Sequence, residues 1–310
     1  MGATLPGAQR AGPPAGTGAA PARGGAIFVL LKVAPRPDGV YFSASRGVVD
    51  ASGAPREVGD CDRRALEAAV RLAEAAGAAA GGAVARKAAA AGGGAAADAC
   101  APGPPVEVAA LSWAPEADEP VLRVALAAGA SSLLRIATPL GPEAADPAVV
   151  AAGLAEALAG RQPRLVLCGQ GSPDESRGAV GPMVAALLGW PLVCGMVRAA
   201  WGKGDGEGAG QVLEVEAEEG SSLVLYRVRP PAVLAVGRHG PAPRTPSPVR
   251  LARAFRQPVE RLEVSIRAPA LKLRSLGTTE SRRRLGEPIP GAPAEALAML
   301  WARLRERRVV

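Results

Sequence analysis

The chain is poor in the residues from which metal centres and many catalytic sites are built. Its 310 residues include one histidine and four cysteines, and the cysteines, at positions 61, 100, 168 and 194, lack the paired spacing typical of zinc ligands. The single histidine, His239, also leaves little material for a Ser-His-Asp triad. We therefore predict neither a metal site nor catalytic residues. Cys168 is interpreted as a small buried residue in a reducing compartment, the cytoplasm.

Aromatic residues and long apolar runs are scarce as well. Phe, Trp and Tyr make up 3% of the chain, too few for the base stacking used by single-strand nucleic-acid binders. No apolar run approaches the roughly 20 residues that span a bilayer. Residues 227–310 hold 18 Lys or Arg against 6 Asp or Glu, so residues 1–226 carry a net charge of −5 within the total of +7. This asymmetry favours an acidic protein partner for the basic part.

Two tracts of Ala, Gly and Pro are predicted to be disordered. Residues 1–25 and residues 77–105 contain few large apolar side chains that would offset the entropy of ordering. We interpret the first as a tail and the second as an insertion after the first helix.

The remaining sequence alternates between buried strands and amphipathic helices. Strands are predicted at 26–34, 106–114, 131–138 and 163–170, and helices at 60–77, 116–130, 146–160 and 181–190. This alternation predicts an α/β fold with a mostly parallel, doubly wound, Rossmann-like sheet. Shorter strands at 196–201, 211–218 and 222–236 predict a small antiparallel extension. A final helix at 292–308 ends a basic C-terminal arm.

The stretch from 165 to 191, LVLCGQGSPDESRGAVGPMVAALLGWP, joins a strand to an apolar helix through a glycine-rich loop. Free main-chain N–H groups and the helix dipole make such a helix start a natural anion site, and a nucleotide phosphate is the first candidate ligand. The alternative is an ordinary connection whose glycines only permit the turn.

Five stretches, in order, resemble the β subunit of electron transfer flavoprotein. The first strand ends in Lys32 as in that family, and the loop keeps Gly169, Asp174, Gly181 and the Trp190-Pro191 pair. The four stretches after that strand are ALEAAVRLAE (65–74), LSWAPEADEPVLRVALAAGAS (111–131), GQGSPDESRGAVGPMVAALLGWP (169–191) and VEAEEGSSLVLYRVRPPAVLAV (215–236). PAPR (241–244) then stands where the family has its Pro-Arg before a partner-recognition loop. The chain is thus identified as a divergent member of this family.

The resemblance implies an electron carrier subunit rather than an enzyme. An α subunit would hold most of an FAD, this chain would bind AMP or a second FAD, and the pair would serve an acyl-CoA or other dehydrogenase and a quinone reductase. It implies an α/β domain over 26–240 and a partner-recognition loop with the basic arm over 241–310. The residues expected to contact the nucleotide are Lys32, Ser112, Gly169, Gln170, Gly171, Asp174, Arg177, Gly178 and Gly181. Trp113 is interpreted either as a cover for the adenine or as a buried core residue.

The loop also departs from the family. Gly178, Ala179 and Val180 stand where the family has Asn-Gln-Thr, whose side chains bond the phosphate, and Pro248 stands where it has a leucine anchor. Each charged hydrogen bond lost costs roughly 1.5 to 3 kcal/mol. Two alternatives therefore stay open: a scaffold that has lost its nucleotide, and a nucleotide-binding hydrolase or ligase of related fold. The second is weakened because the loop has no P-loop motif with lysine.

Overall fold

The computed structural model describes residues 25–43, 48–90, 106–138, 146–202, 212–264 and 289–307. The predicted N-terminal tail, apart from residue 25, and the second half of the predicted insertion lie outside these residues, as does the run Arg282 to Arg284. Within the described residues, no helix is both long enough and apolar enough to cross a membrane.

A nine-stranded sheet forms the centre of the molecule and confirms the predicted α/β class. In chain order its strands are β1 (Ile27–Leu31), β6 (Val108–Ala114), β7 (Ser132–Ala137), β8 (Leu165–Gly169), β9 (Leu192–Gly202), β10 (Val212–Glu219), β11 (Ser222–Val228), β12 (Ala232–Val236) and β13 (Glu260–Leu262). The spatial order is β11-β10-β9-β12-β8-β1-β6-β7-β13. In this spatial order, every pair of neighbours from β9 through β12, β8, β1, β6 and β7 to β13 is parallel. Strands β10 and β11 extend the sheet beyond β9 with antiparallel pairing. Two small antiparallel pairs join β2 (Val33–Pro35) to β5 (Arg56–Val58) and β3 (Tyr41–Ser43) to β4 (Val48–Asp50).

Helices cover both faces of the sheet. They are α1 (Asp60–Ala90), α2 (Glu119–Leu122), α3 (Val124–Ala128), α4 (Pro147–Ala159), α5 (Val180–Leu188), α6 (Pro248–Ala254) and α7 (Pro293–Glu306). One apolar cluster packs α1 and α3 against the sheet, and a second packs α4 and α5 against the opposite face. The sheet is therefore doubly wound, as its continuous apolar strands predict.

Two helix boundaries differ from the sequence prediction. Helix α1 continues to Ala90, so the first part of the segment predicted to be disordered is helical. Alanine has the highest helix propensity, whereas the prediction considered only the lack of large apolar side chains. The helix expected at 116–130 is divided into α2 and α3 at Arg123, and α2 starts beside Pro120, which is tolerated only in a first helical turn.

Strand β12 lies elsewhere in the sheet than the sequence predicts. Residues 222–236 were expected to extend the antiparallel part, but they divide into β11 and β12, separated by Pro230 and Pro231. Strand β12 lies between β8 and β9 and is parallel to both. All five of its residues are buried, as in a strand covered on both faces.

Part of the predicted recognition segment belongs to the same sheet. Helix α6 packs on α3, and β13 adds an edge strand parallel to β7. Helix α7, by contrast, has no buried residue.

Candidate functional site

A cleft lies at the carboxyl edge of the parallel strands, where open α/β sheets bind ligands. Its cavity volume is about 110 Å³, well above the roughly 10–15 Å³ that one water occupies. The cleft is bounded by the ends of three neighbouring strands, by the first turns of α4 and α5, and by residues 170–179, named here the cleft loop. The lining residues are Leu30, Leu31, Lys32, Asp62, Trp113, Pro147, Val150, Leu154, Cys168, Gly169, Gly171, Ser172, Glu175, Arg177, Gly178, Ala179, Val180 and Gly181.

The two helices that begin at the cleft differ in their N-terminal caps. In α4, the Asp146 carboxylate accepts a hydrogen bond from the main-chain N–H of Ala148 at 2.9 Å. In α5, the residue at the N-cap is Ala179, and no side chain caps the helix. The first-turn N–H groups of α5, those of Val180 and Gly181 because Pro182 has none, therefore have no side-chain acceptor among the described residues, and both residues line the cleft. Together with the helix dipole, these donors suit an anion.

Glycine is required at two points of this helix start. Gly178 has a φ of 59°, and a Cβ there would lie 2.6 Å from the carbonyl oxygen of Gln170. A Cβ on Gly181 would lie 2.5 Å from the Sγ of Cys168. The close approach of the chain to itself, rather than flexibility, explains these glycines.

A buried carboxylate, Asp62, joins the ends of β1 and β8. It accepts the main-chain N–H of Lys32 and that of Gly169, each at 2.8 Å. Burial raises the pKa of Asp62 to about 6, although the two N–H groups and the Lys32 charge act in the opposite direction. The sequence prediction did not include Asp62 among the cleft residues. The feature that could have indicated it is an acidic residue in the first turn of a helix, here α1.

Two ion pairs hold the charged side chains of the cleft. The Nζ of Lys32 lies 2.6 Å from Oδ2 of Asp174, and Arg177 pairs with Glu175 at 3.0 Å. Burial disfavours the charged form of Asp174, but hydrogen bonds from Lys32 and Ser172 outweigh it, so the pKa of Asp174 lies below its ordinary value. Within each pair the positive and negative charges cancel. Among the described lining residues, Asp62 is then the carboxylate without an ion-pair partner.

The structure brings most of the sequence-predicted residues together, with exceptions. Six of them line the cleft: Lys32, Gly169, Gly171, Arg177, Gly178 and Gly181. Asp174 lies beside them through its bond to Lys32, while Gln170 is exposed and its main-chain N–H is bonded to the Val236 carbonyl. Ser112 is fully buried, and its hydroxyl donates to the carbonyl of Leu31 at 2.7 Å. Its role in the structure is to tie β6 to β1, because the alternation of the strand turns it away from the cleft.

Trp113, next along β6, faces the cleft side of the sheet. Its side chain is 4% exposed, lines the cleft and has an indole N–H with no acceptor among the described residues. Leaving a buried donor unpaired costs roughly 1 to 3 kcal/mol. An orphaned donor beside uncapped helix N–H groups fits a polar ligand.

The comparisons with known proteins agree with this architecture. The model of the electron transfer flavoprotein domain family matches residues 94–266, more than half of the chain. The electron transfer flavoprotein subunit beta of Thermoanaerobacterium thermosaccharolyticum is 26% identical over 295 residues, which cover 92% of this chain and 99% of that protein. The subunit beta of Methylophilus methylotrophus is 29% identical over 180 residues, 58% of this chain and 66% of that protein. The chain therefore belongs to the electron transfer flavoprotein family, as a divergent member similar to beta subunits.

Proposed function

We propose that this chain is an electron transfer flavoprotein β-like subunit that pairs with an α subunit and holds the adenosine phosphate of AMP, or of a second FAD, in the cleft. The observation that carries the proposal is the uncapped start of α5 at the lining of the cleft. The shared FAD would supply the electron transfer itself. This chain would bind and orient, and would have no catalytic residue of its own.

The lining residues fit such a ligand by their chemistry. The first-turn N–H groups of α5 would donate to the phosphate, replacing the side-chain donors that Gly178, Ala179 and Val180 lack. The apolar walls formed by Leu30, Val150 and Leu154 would exclude water from the base and ribose. Lys32 would act mainly by fixing the cleft loop through Asp174, because its charge is already paired.

Residues 241–310 are proposed to recognise partners, whereas 26–240 form the nucleotide domain. Helix α7 exposes Leu297, Leu300 and Trp301 and carries Arg303 and Arg305 in its last turn. An apolar face flanked by arginines suits an acidic α subunit. The electron donor and acceptor would be an acyl-CoA or other dehydrogenase and a quinone reductase. The proposed compartment is the cytoplasm, where Cys61, Cys168 and Cys194, all free thiols in the structure, stay reduced.

The test is to co-express the chain with a candidate α subunit, purify the complex and denature it. We expect a stable heterodimer with flavin absorbance near 450 nm and a released nucleotide identified as AMP or FAD by chromatography. The variant Gly181→Ala should lower the AMP content, because its Cβ would displace the start of α5 from Cys168. Gly77→Ala is the matched control, since a Cβ on Gly77 meets open space.

The second candidate is a scaffold that pairs with the α subunit but binds no nucleotide of its own. It is favoured by the absence of polar side chains at Gly178, Ala179 and Val180. A yellow heterodimer that releases FAD at one equivalent and no AMP would support this candidate. A colourless chain that forms no complex would overturn both functions.

A further inference from the structure

The position of the Trp113 indole in the cleft is set by a glycine in the facing helix. A Cβ on Gly153, in the middle of α4, would lie 2.5 Å from Cζ3 of Trp113 and 3.1 Å from its Cε3. Glycine is unfavourable inside a helix, so its presence here indicates that α4 makes room for the indole. Gly153 thus packs against the indole of Trp113, which lines the cleft.

The indole of Trp113 is closely packed, but its N–H lacks a hydrogen-bond acceptor among the described residues. Trp113 is almost fully buried, yet its Nε1–H has no acceptor among the described residues. The half-buried Trp201 offers a contrast, because it donates its Nε1–H to the carbonyl of Leu72 at 2.9 Å. Because buried donors are nearly always paired, the acceptor for Trp113 is expected from a molecule that enters the cleft.

We propose that Trp113 recognises the heterocyclic base of the ligand: its indole N–H, which has no acceptor among the described residues, gains one when the cleft is filled. This inference rests on the proposed function, because it requires a nucleotide in the cleft. Adenine offers such an acceptor in its ring nitrogens. Trp113 would then discriminate between ligands by their base, while the α5 N–H groups would bind any phosphate.

The test measures the affinity of the purified chain, alone and as the heterodimer freed of nucleotide, for AMP and for ribose 5-phosphate, which lacks the base. We expect Trp113→Phe, which keeps a ring but removes the N–H, to weaken AMP binding by about fivefold or more. Ribose 5-phosphate binding should stay unchanged. Gly153→Ala should weaken AMP binding by displacing the indole, because the added Cβ would lie 2.5 Å from its Cζ3, and should leave ribose 5-phosphate binding unchanged.

A spectroscopic readout accompanies the titrations. AMP should change the tryptophan emission of the wild type and of the control Trp201→Phe, but not that of Trp113→Phe. Thermal melting of each variant identifies any that fails to fold, and in that case the Gly153→Ala variant carries the test.

Two results would overturn the inference and leave the proposed function standing: equal AMP affinity in wild type and Trp113→Phe, or a parallel loss of AMP and ribose 5-phosphate binding, which a purely structural role predicts. A wild-type chain that binds neither compound in either form would overturn the inference and nucleotide binding together.

Discussion

Two segments leave the same edge of the sheet from neighbouring strands and are held in different ways. The cleft loop, residues 170–179, follows β8, and residues 237–247, named here the clamp segment, follow β12. The clamp segment is fixed to α1 by charged side chains: Arg244 bonds Glu67 and Glu74, and Arg64 donates to the carbonyl of Gly240. The cleft loop has fewer such ties, and it leads into a helix whose first N–H groups have no side-chain acceptor.

The clamp segment contributes to stability, whereas the cleft loop leads to the proposed binding site. Glu67 is 3% exposed; burial opposes its charge, but hydrogen bonds from Arg244 and Arg71 outweigh burial and hold the pKa of Glu67 below its ordinary value. In the clamp segment, Arg244 is therefore paired with the carboxylates of Glu67 and Glu74 within the chain. At the end of the cleft loop, the N–H groups of Val180 and Gly181 have no side-chain acceptor among the described residues, which is the arrangement that the proposed nucleotide site requires.

The largest effect is expected from breaking the clamp. Arg244→Ala removes the guanidinium from the buried Glu67, which keeps Arg71 and the main-chain N–H of residue 244 as donors, and should lower the free energy of unfolding by about 3 kcal/mol, measured by urea denaturation. Arg198→Ala, which removes an exposed pair with Glu216, is the control and should be unchanged within error. Equal losses in the two variants would mean that the clamp segment is not held by its arginine.

A comparable effect, dependent on pH, is expected at Asp62. Its pKa is raised from 3.8 to about 6, so between these values the folded protein binds a proton that the unfolded chain has released. The free energy of unfolding should therefore fall by about 2 kcal/mol as pH rises from 4 to 6, out of about 3 kcal/mol over the whole titration.

In Asp62→Asn this component is absent, so the difference between wild type and variant should change across that pH range. Urea denaturation of both proteins at intervals from pH 4 to pH 7 measures it, and the other titrating groups cancel in the difference. Parallel pH profiles would contradict the buried position of this carboxylate.

A smaller effect is expected from straining the backbone of the cleft loop at Gly178. Gly178→Ala places a side chain at a φ of 59° with its Cβ against the Gln170 carbonyl, and such strain costs about 1 to 3 kcal/mol. The loop should shift, so AMP affinity measured by calorimetry should fall with stability. The control Gly53→Ala, where a Cβ meets open space, should change neither quantity.

The smallest change in stability is expected from placing a negative charge at the start of α5. Ala179→Asp should raise the free energy of unfolding by about 0.5 kcal/mol, because a carboxylate there interacts favourably with the helix dipole and lies next to the N–H groups of Val180 and Gly181. The same carboxylate would compete with phosphate and should abolish AMP binding. A variant that gains stability and still binds AMP would show that the phosphate does not use this helix start.

The buried runs of the sequence predicted the parallel sheet, because strands covered on both faces are apolar throughout. Strand β12 has the same composition, but its place between β8 and β9 depends on pairing across the sheet, which no local pattern encodes. Glycines 178 and 181 were predicted as part of a loop, yet their necessity follows from contacts with Gln170 and Cys168. Ser112 and Trp113 show the limit most clearly: adjacent residues at one strand end face opposite sides of the sheet, and only the alternation in three dimensions decides which one lines the cleft.

The central place of β12 also has a consequence for how the chain acquires its structure. Until residue 236 has left the ribosome, β8 has one neighbour instead of two, and the β9-β10-β11 hairpins have no attachment to the rest of the sheet. A truncation before β12 would expose two apolar strand edges at once, which is a route to aggregation. The two parts of the sheet can therefore join only after β12 has been synthesised.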